Sequence, residues 1–318
     1  MRFRVVFFGT PQFAVPSLAA LFGGPDSVAG VICQADRPAG RGQKVRQPAV
    51  KQLALAHGVP VQQPTRVRDQ AFEDLLRGWE PDVIVVTAYG RILPRNILEL
   101  PRHGCINVHA SLLPRYRGAA PIAWAIARGE TETGVTIMQM SEEMDAGDIL
   151  LQRSTPIGAH ETAVDLSERL SHLGADALME TLAALARGEL VPVPQDERAV
   201  TLAPIIAKSD GEIDWSRGAA EIANHCRAFQ PWPSAFTHIE GKLLKIHVAH
   251  AVAAPDAEAD RAQPAGTIVF VGDAVEVVTG EGALAIERLQ IEGRKPMAAS
   301  EFARGAALRP GMRLGAAR

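Results

Sequence analysis

Asn107 and His109 stand two residues apart in the stretch CINVHASLLPRYRGAAPI, residues 105–122. On an extended strand that spacing turns both side chains to one face. An amide donor beside an imidazole can hold a developing oxyanion and move a proton, the two demands of addition to a carbonyl. A third group, Asp145, lies in MSEEMDAGDIL (140–150), just before an Ala-Gly pair where a tight turn brings carboxylate and backbone near a ligand. A carboxylate near an Asn/His pair can orient the imidazole or a water. Each residue alone has a plainer reading: a turn-forming asparagine, a histidine packed on a sheet, an aspartate bonding its own turn. The combination is what points to catalysis.

The elements that must carry these residues follow from hydrophobic patterning. FRVVFFG, SVAGVICQ, DVIVVTAYG and CINVHAS read as buried strands, and GVTIMQMS and DILLQRSTPI as further strands. FAVPSLAALF and PAVKQLALAHG read as helices between them. Continuous apolar strands alternating with helices predict an α/β fold with a doubly wound, mostly parallel sheet. In such a sheet the carboxyl end of a strand borders the ligand crevice, which is where Asn107 and His109 would lie. VDLSERLSHLGADALMETLAALARG predicts a long surface helix stopping at Gly188. The texture then turns polar and proline-rich. Beyond it come one helix, AAEIANHCRAF, and five short β-runs from AFTHIEG to ALAIERLQIEG, which suit a small antiparallel β-barrel of OB-like kind. The expected organisation is an α/β catalytic domain over 1–188, a linker over 189–210 and a barrel domain over 211–318. The stretch 253–266 lacks large apolar residues and is expected to be a mobile loop.

Composition excludes several classes. Hydrophobic content of 47% and charged content of 22% are those of an ordinary soluble globular protein, and 318 residues suffice for two domains. Cys33, Cys105 and Cys226 are far apart, odd in number and form no C-x-x-C pair, so neither a disulfide framework nor a zinc site is indicated. No metal is expected, and a reducing cytoplasm is the simplest setting. The opening MRFRVVFFGTPQ breaks its apolar run with Gly9-Thr10-Pro11-Gln12, which suits a strand and turn better than a secretion signal. No apolar run approaches the roughly 20 residues that span a bilayer. At that first turn only Gly9 is present, Pro11 and Ala14 standing where G-x-G-x-x-G needs glycine, so a nicotinamide cofactor is disfavoured. Neither G-x-x-x-x-G-K-[ST] nor G-x-S-x-G occurs.

The net charge of −3 argues against nucleic acid, but its distribution does not. Residues 1–68 carry nine Lys/Arg against Asp26 and Asp36, and residues 288–318 carry seven against Glu292 and Glu301. Two basic ends around an acidic middle can form a polyanion footprint, and equally a scatter of solvated charge.

NVHASLLPRYRGAAPI and MDAGDIL resemble signature pieces of the formyltransferases that use 10-formyltetrahydrofolate. The resemblance implies that Asn107, His109 and Asp145 form the catalytic trio and that Ser111, Leu112, Leu113 and Pro114 lie in the folate site. Three further stretches narrow it to the members that act on tRNA: FFGTPQFAVPSL, QADRPAGRGQKVRQPAVK (34–51), and AKSDGEIDW with RAFQPWPSAFT. These imply an initiator methionyl-tRNA acceptor, formylated for translation initiation. They also imply a basic loop whose Arg37, Arg41, Lys44 and Arg46 grip the acceptor arm. Interspersed with Gly40 and Gly42, those cations would form a flexible arm able to order on phosphates. Arg294, Lys295, Arg304, Arg309 and Arg313 near the carboxyl end would add phosphate contacts if they shared that face. Trp232, between two prolines, reads as a domain-junction anchor, and Ser234, where the resemblance expects glycine, as a benign turn change. A monomer is expected. Two other readings stay open: a formyltransferase for a small aminosugar or glycinamide ribonucleotide, and a non-catalytic folate- or RNA-binding protein.

Overall fold

The first strand, RVVFFG, is buried along its length after Arg4, as a central strand of a two-faced sheet must be. It opens the fold of the computed structural model, which describes residues 2–39, 44–253 and 263–315. The chain forms two compact units, one of Met1–Pro121, Glu132–Pro156 and Ser167–Pro204, the other of Ile122–Thr131, Ile157–Leu166 and Ile205–Arg318.

In chain order the elements up to residue 203 are β1 (Arg4–Gly9), α1 (Val15–Gly23), β2 (Ser27–Ile32), β3 (Arg37–Ala39), β4 (Lys44–Arg46), α2 (Ala49–Ala56), β5 (Val61–Gln62), α3 (Gln70–Gly78) and β6 (Val83–Thr87). They continue with α4 (Arg95–Leu98), β7 (Cys105–His109), β8 (Arg117–Gly118), α5 (Pro121–Ala127), β9 (Glu132–Gln139), β10 (Ile149–Pro156), α6 (Ala163–Arg187) and β11 (Leu202–Ala203). The main sheet runs β10-β9-β7-β6-β1-β2-β5. From β5 to β7 every pairing is parallel, as the apolar runs predict. Beyond β7 the direction reverses: β9 pairs antiparallel with β7, and β10, joined to β9 by a turn, pairs antiparallel with β9. One face of the sheet packs Phe8, Phe72, Leu76, Ile84 and Tyr89. The Phe8 ring meets Tyr89 edge-on at 5.1 Å.

The second unit contains α7 (Ala219–Ala228), β12 (Ala235–Ile239), β13 (Lys242–Val252), β14 (Ile268–Val271), β15 (Val275–Val278), β16 (Ala283–Ile291), β17 (Met297–Ala298) and α8 (Ala299–Gly305). The sheet is antiparallel, ordered β12-β13-β16-β15-β14, with β17 added on β16. All five β-runs read from the sequence are strands of it. Trp215, Ile222, Leu244, Ile268, Val277, Leu284 and Phe302 share its core. Ser234 adopts φ 68°, a left-handed conformation that favours glycine, so the serine there is not a neutral exchange. Its hydroxyl donates to Pro231 O at 3.0 Å, a local bond that glycine would lack. Most of the expected mobile loop, residues 254–262, lies outside the described residues.

The three cysteines are free and buried. Burial pushes the thiol of Cys33 up to about 11 and those of Cys105 and Cys226 up to about 12. Among the described residues no helix is long and apolar enough to cross a membrane.

Gly9, the one glycine left of the dinucleotide pattern, is a packing residue. A Cβ there would lie 2.6 Å from the Phe7 ring, 2.8 Å from Ala14 Cβ and 3.0 Å from Thr87 O. Replacing it with alanine overpacks the junction of β1 and α1. Gly9→Ala should lower unfolding free energy by about 1–3 kcal/mol. The check is the denaturant midpoint at unchanged m value.

Candidate active site

β7 lies between β6 and β9, with Asn107 opposite Val86 on one side and Met138 on the other. Its burial is complete except at Asn107, which keeps part of its side chain accessible. Among the described residues the structure gives the Asn107 carboxamide no hydrogen-bond partner, so its donors are available to a ligand. His109, two residues on, is only 6% exposed and has both ring nitrogens facing oxygen. Nε2 lies 3.0 Å from Tyr116 O, and Nδ1 lies 3.6 Å from Asp145 Oδ1. A backbone carbonyl can only accept, so Nε2 carries the proton there. Nδ1 then faces the carboxylate, an arrangement that an imidazolium satisfies at both nitrogens and the neutral ring at one.

Asp145 reaches His109 because the turn after β9 folds back on itself. Gly147 makes this possible, since a Cβ there would lie 1.8 Å from Gln139 O. Asp145 itself adopts φ 53°, and its second carboxylate oxygen accepts the Gly118 N–H at 2.9 Å. The structure therefore brings Asp145 to His109, two residues along β7 from Asn107.

The SLLP stretch is held from below. Thr136, opposite His109 across the β7–β9 ladder, donates its hydroxyl to Ser111 O at 2.6 Å and accepts Leu113 N–H at 3.0 Å. Gln152 adds donors to Leu113 O at 2.8 Å and to Thr136 Oγ1 at 3.0 Å. Ser111 is fully buried and donates its hydroxyl to Arg115 O, so that side chain is spent inside the loop. Leu113 is buried as well, whereas Leu112 and Pro114 keep accessible surface.

The basic stretch is a two-stranded ribbon where it is described, rather than a plain loop: β3 and β4 pair antiparallel with Arg37 opposite Arg46. Both arginines are exposed; Lys44 belongs to β4, and Arg41 lies outside the described residues. The base of the ribbon is pinned by Lys51, whose ammonium donates to Asp36 at 2.8 Å and to Gln63 at 2.9 Å. The Lys51 ammonium and then the Gln63 amide, which donates to Asp36 Oδ1 at 2.7 Å, hold the Asp36 carboxyl below its usual range.

Residues that sequence reading did not single out complete the site. Gln195, in the stretch read as a linker, donates to Asp145 O and to Gly147 O, each at 2.8 Å. Thr201 in the same stretch accepts Tyr116 N–H at 2.9 Å. No motif marks either, because a glutamine in a polar, proline-rich stretch carries no periodic signal. Among the described residues no group of three or more His, Cys, Asp or Glu is placed to hold a metal ion.

In the second unit an open cavity of about 430 Å³ is lined by Lys208, Trp232, Phe236, Leu243, Lys245 and Glu292. Trp232, read as a domain-junction anchor, is 57% exposed there. Arg294, Lys295, Arg304, Arg309 and Arg313 are all exposed.

Comparison with known proteins matches residues 1–182 to the family "Formyl transferase" and residues 205–307 to "Formyl transferase, C-terminal domain". The methionyl-tRNA formyltransferase of Myxococcus xanthus is 51% identical over 98% of this chain and 97% of its own length. That of Sorangium cellulosum is 52% identical over 98% of this chain and 99% of its own. Among solved structures, an N-formyltransferase from Helicobacter canadensis, in complex with folinic acid and dTDP-3-aminofucose, is similar in fold. It aligns with TM-score 0.68 and 18% identity over 90% of this chain and 99% of that one. HypX from Aquifex aeolicus, in complex with tetrahydrofolic acid, aligns with TM-score 0.64 and 18% identity over 95% of this chain and 47% of that one.

The Thr136 hydroxyl serves three partners that a valine of the same shape cannot. Thr136→Val would leave the buried Leu113 N–H and Ser111 C=O without it. It should cost about 1–3 kcal/mol of unfolding free energy, whereas Thr136→Ser should recover most of that loss. Paired denaturation curves of the two variants test this.

Proposed function

The chain belongs to the formyl transferase family, and on that premise we propose that it carries a formyl group from 10-formyltetrahydrofolate to the α-amino group of methionyl-initiator tRNA. The product is formylmethionyl-tRNA, used in translation initiation. The observation that carries this reading is the full-length match, at about 50% identity, to methionyl-tRNA formyltransferases, combined with Asn107, His109 and Asp145 at one strand end. The small-acceptor alternatives share the fold at 18% identity only, which does not carry their substrates to this chain.

The folate supplies an activated formyl group. Leu112 and Pro114, the accessible apolar members of the pinned SLLP loop, form the wall we assign to it, with Ser111 and Leu113 shaping that loop from within. Asn107 presents an unpaired carboxamide to the formyl oxygen and takes up the charge that grows as the amine adds. His109 turns Nε2 to Tyr116 O and Nδ1 toward Asp145, and its part is to assist Asn107 beside that oxygen. Asp145 orients the imidazole, and its partly exposed carboxylate passes a proton through water toward the leaving nitrogen. Free α-amino groups have pKa values of about 7.7–8.0 and esterification of the neighbouring carboxyl lowers them, so much of the nucleophile is neutral at cellular pH and alignment matters more than a strong base.

For the tRNA we assign the ribbon with Arg37, Arg41, Lys44 and Arg46, with residues 1–188 as the catalytic domain and 211–318 as a second RNA-contacting domain. The exposed carboxyl-terminal arginines and the Trp232 cleft support that second assignment, since a cationic surface with an open aromatic is what unpaired nucleotides stack on. A translation enzyme of this kind belongs in the cytoplasm, and we take it to act as a monomer.

The deciding assay is formyl transfer to charged initiator tRNA, charged elongator methionyl-tRNA and free methionine. Transfer to the initiator alone is expected, with activity falling steeply as salt rises. No transfer to either tRNA would refute the assignment. Asn107→Ala should lower turnover by about 10²–10³-fold, and near-full turnover would remove Asn107 from the oxyanion role. Trp232→Ala should raise KM for charged tRNA by about tenfold, a loss inside the range of one base–aromatic stack, and leave the folate KM unchanged.

A further inference from the structure

The Asp145 turn is held at both its backbone and its carboxylate by residues distant in sequence. Gln195 reaches it from the segment that leaves α6, and a two-way hydrogen-bond pair between Ile149 and Val193, at 2.8 and 2.9 Å, lays that segment against β10. One nitrogen, Gln195 Nε2, donates to the carbonyls of Asp145 and Gly147, which flank Ala146. The other end of the same amide, Oε1, accepts from Arg117 Nε at 3.0 Å. Reversing the amide would set its oxygen against two carbonyl oxygens and its NH₂ against a cation, so the orientation is fixed by its neighbours. Arg117 is itself buried to 8% exposure and forked onto Glu197 at 2.8 and 3.2 Å. Its neighbour Gly118 supplies the N–H that holds Asp145 Oδ2.

The gap that this arrangement controls is narrow. At 3.6 Å, Asp145 Oδ1 stands just beyond hydrogen-bond range of His109 Nδ1. Contacts of this kind tighten only in the reacting complex, and only if the carboxylate is already aimed. Asp145 sits in a left-handed conformation, from which an unrestrained aspartate would relax. Without Gln195 nothing ties the two turn carbonyls together.

We propose that Gln195 is a positioning residue for formyl transfer: oriented by Arg117, it clamps the Asp145–Gly147 turn so that the Asp145 carboxylate stays aimed at His109. The proposal rests on the catalytic reading of His109 and Asp145 given above. Gln195 touches no substrate, so its effect belongs in turnover rather than in substrate affinity.

The test is a double-mutant cycle on the full-length protein, with Gln195→Met, Asp145→Asn and the double variant compared in single-turnover formyl transfer. Gln195→Met should slow the chemical step by about 10²-fold, with KM for charged tRNA and folate within about twofold, as expected when a reacting group drifts by an ångström. In the Asp145→Asn background the same change should add almost nothing, because the group it aims is already gone. If the two losses multiply, or if Gln195→Met turns over at the wild-type rate, the proposal is overturned. If Asp145→Asn alone keeps full turnover, the catalytic reading fails instead, so the two failures are distinguishable. Should Gln195→Met not fold, Gln195→Glu carries the same cycle, since it keeps the Arg117 contact and turns a carboxylate toward the two carbonyls. Unchanged turnover in that variant also overturns the proposal.

Discussion

An unpaired polar group away from water is costly, so a buried imidazole is best served by oxygens at its nitrogens. His109 has Tyr116 O 3.0 Å from Nε2 and the Asp145 carboxylate 3.6 Å from Nδ1. Each partner can face the ring only from an unfavourable backbone conformation, φ 63° at Tyr116 and φ 53° at Asp145. Such residues cost about 1–3 kcal/mol each and persist only where their surroundings over-determine them. Here the surroundings are the Thr201 hydroxyl on Tyr116 N–H, the Gly118 N–H on the Asp145 carboxylate, and Gln195 on the Asp145 carbonyl. Two of the three come from the stretch between α6 and β11.

The reversal of strand direction at β7 serves the same end. His109 lies directly across from Thr136, so one cross-strand position holds the imidazole and its partner holds the loop that follows the imidazole. β9 then turns back into its antiparallel partner β10, and the short turn between them is the folded-back segment on which Asp145 sits. Fold and site are thus coupled through β9, which pairs with β7 on one side and leads into the Asp145 turn at its end.

Much of this was legible beforehand, and the reasons differ by element. The parallel strands announce themselves because a strand buried on both faces is apolar throughout. Asn107 and His109 could be placed at the end of one because spacing of two fixes a common face. The direction of β9 and β10 was not legible, since an apolar run reads the same either way. Ser111 carried a folate assignment through its loop, yet its hydroxyl is turned inward onto Arg115 O, a choice made by backbone geometry rather than residue type. Gln195 and Thr201 were invisible because their partners lie tens of residues away and polar side chains in a proline-rich stretch ordinarily face solvent. The exposure of Trp232 was not legible either: a tryptophan flanked by prolines looks like an anchor, and only the structure shows its surface open.

Within the proposed reading, the geometry also says what kind of catalyst this is. A hydroxyl nucleophile would require a ring nitrogen free to take its proton. In His109, Nε2 is committed to a backbone carbonyl and Nδ1 is turned toward the Asp145 carboxylate at 3.6 Å, so both face protein oxygens. An amine nucleophile makes no such demand, since a large share of it is already unprotonated near neutral pH. What remains for the protein is to align that amine and to stabilise charge on the formyl oxygen, and both tasks depend on fixed groups rather than mobile ones. A site in which the imidazole is held at Nε2 and turned toward its carboxylate partner, itself held at backbone and side chain, is built for that division of work. Of the three residues assigned to catalysis, Asn107 is the one whose side chain has no hydrogen-bond partner among the described residues, which suits the oxyanion role proposed for it.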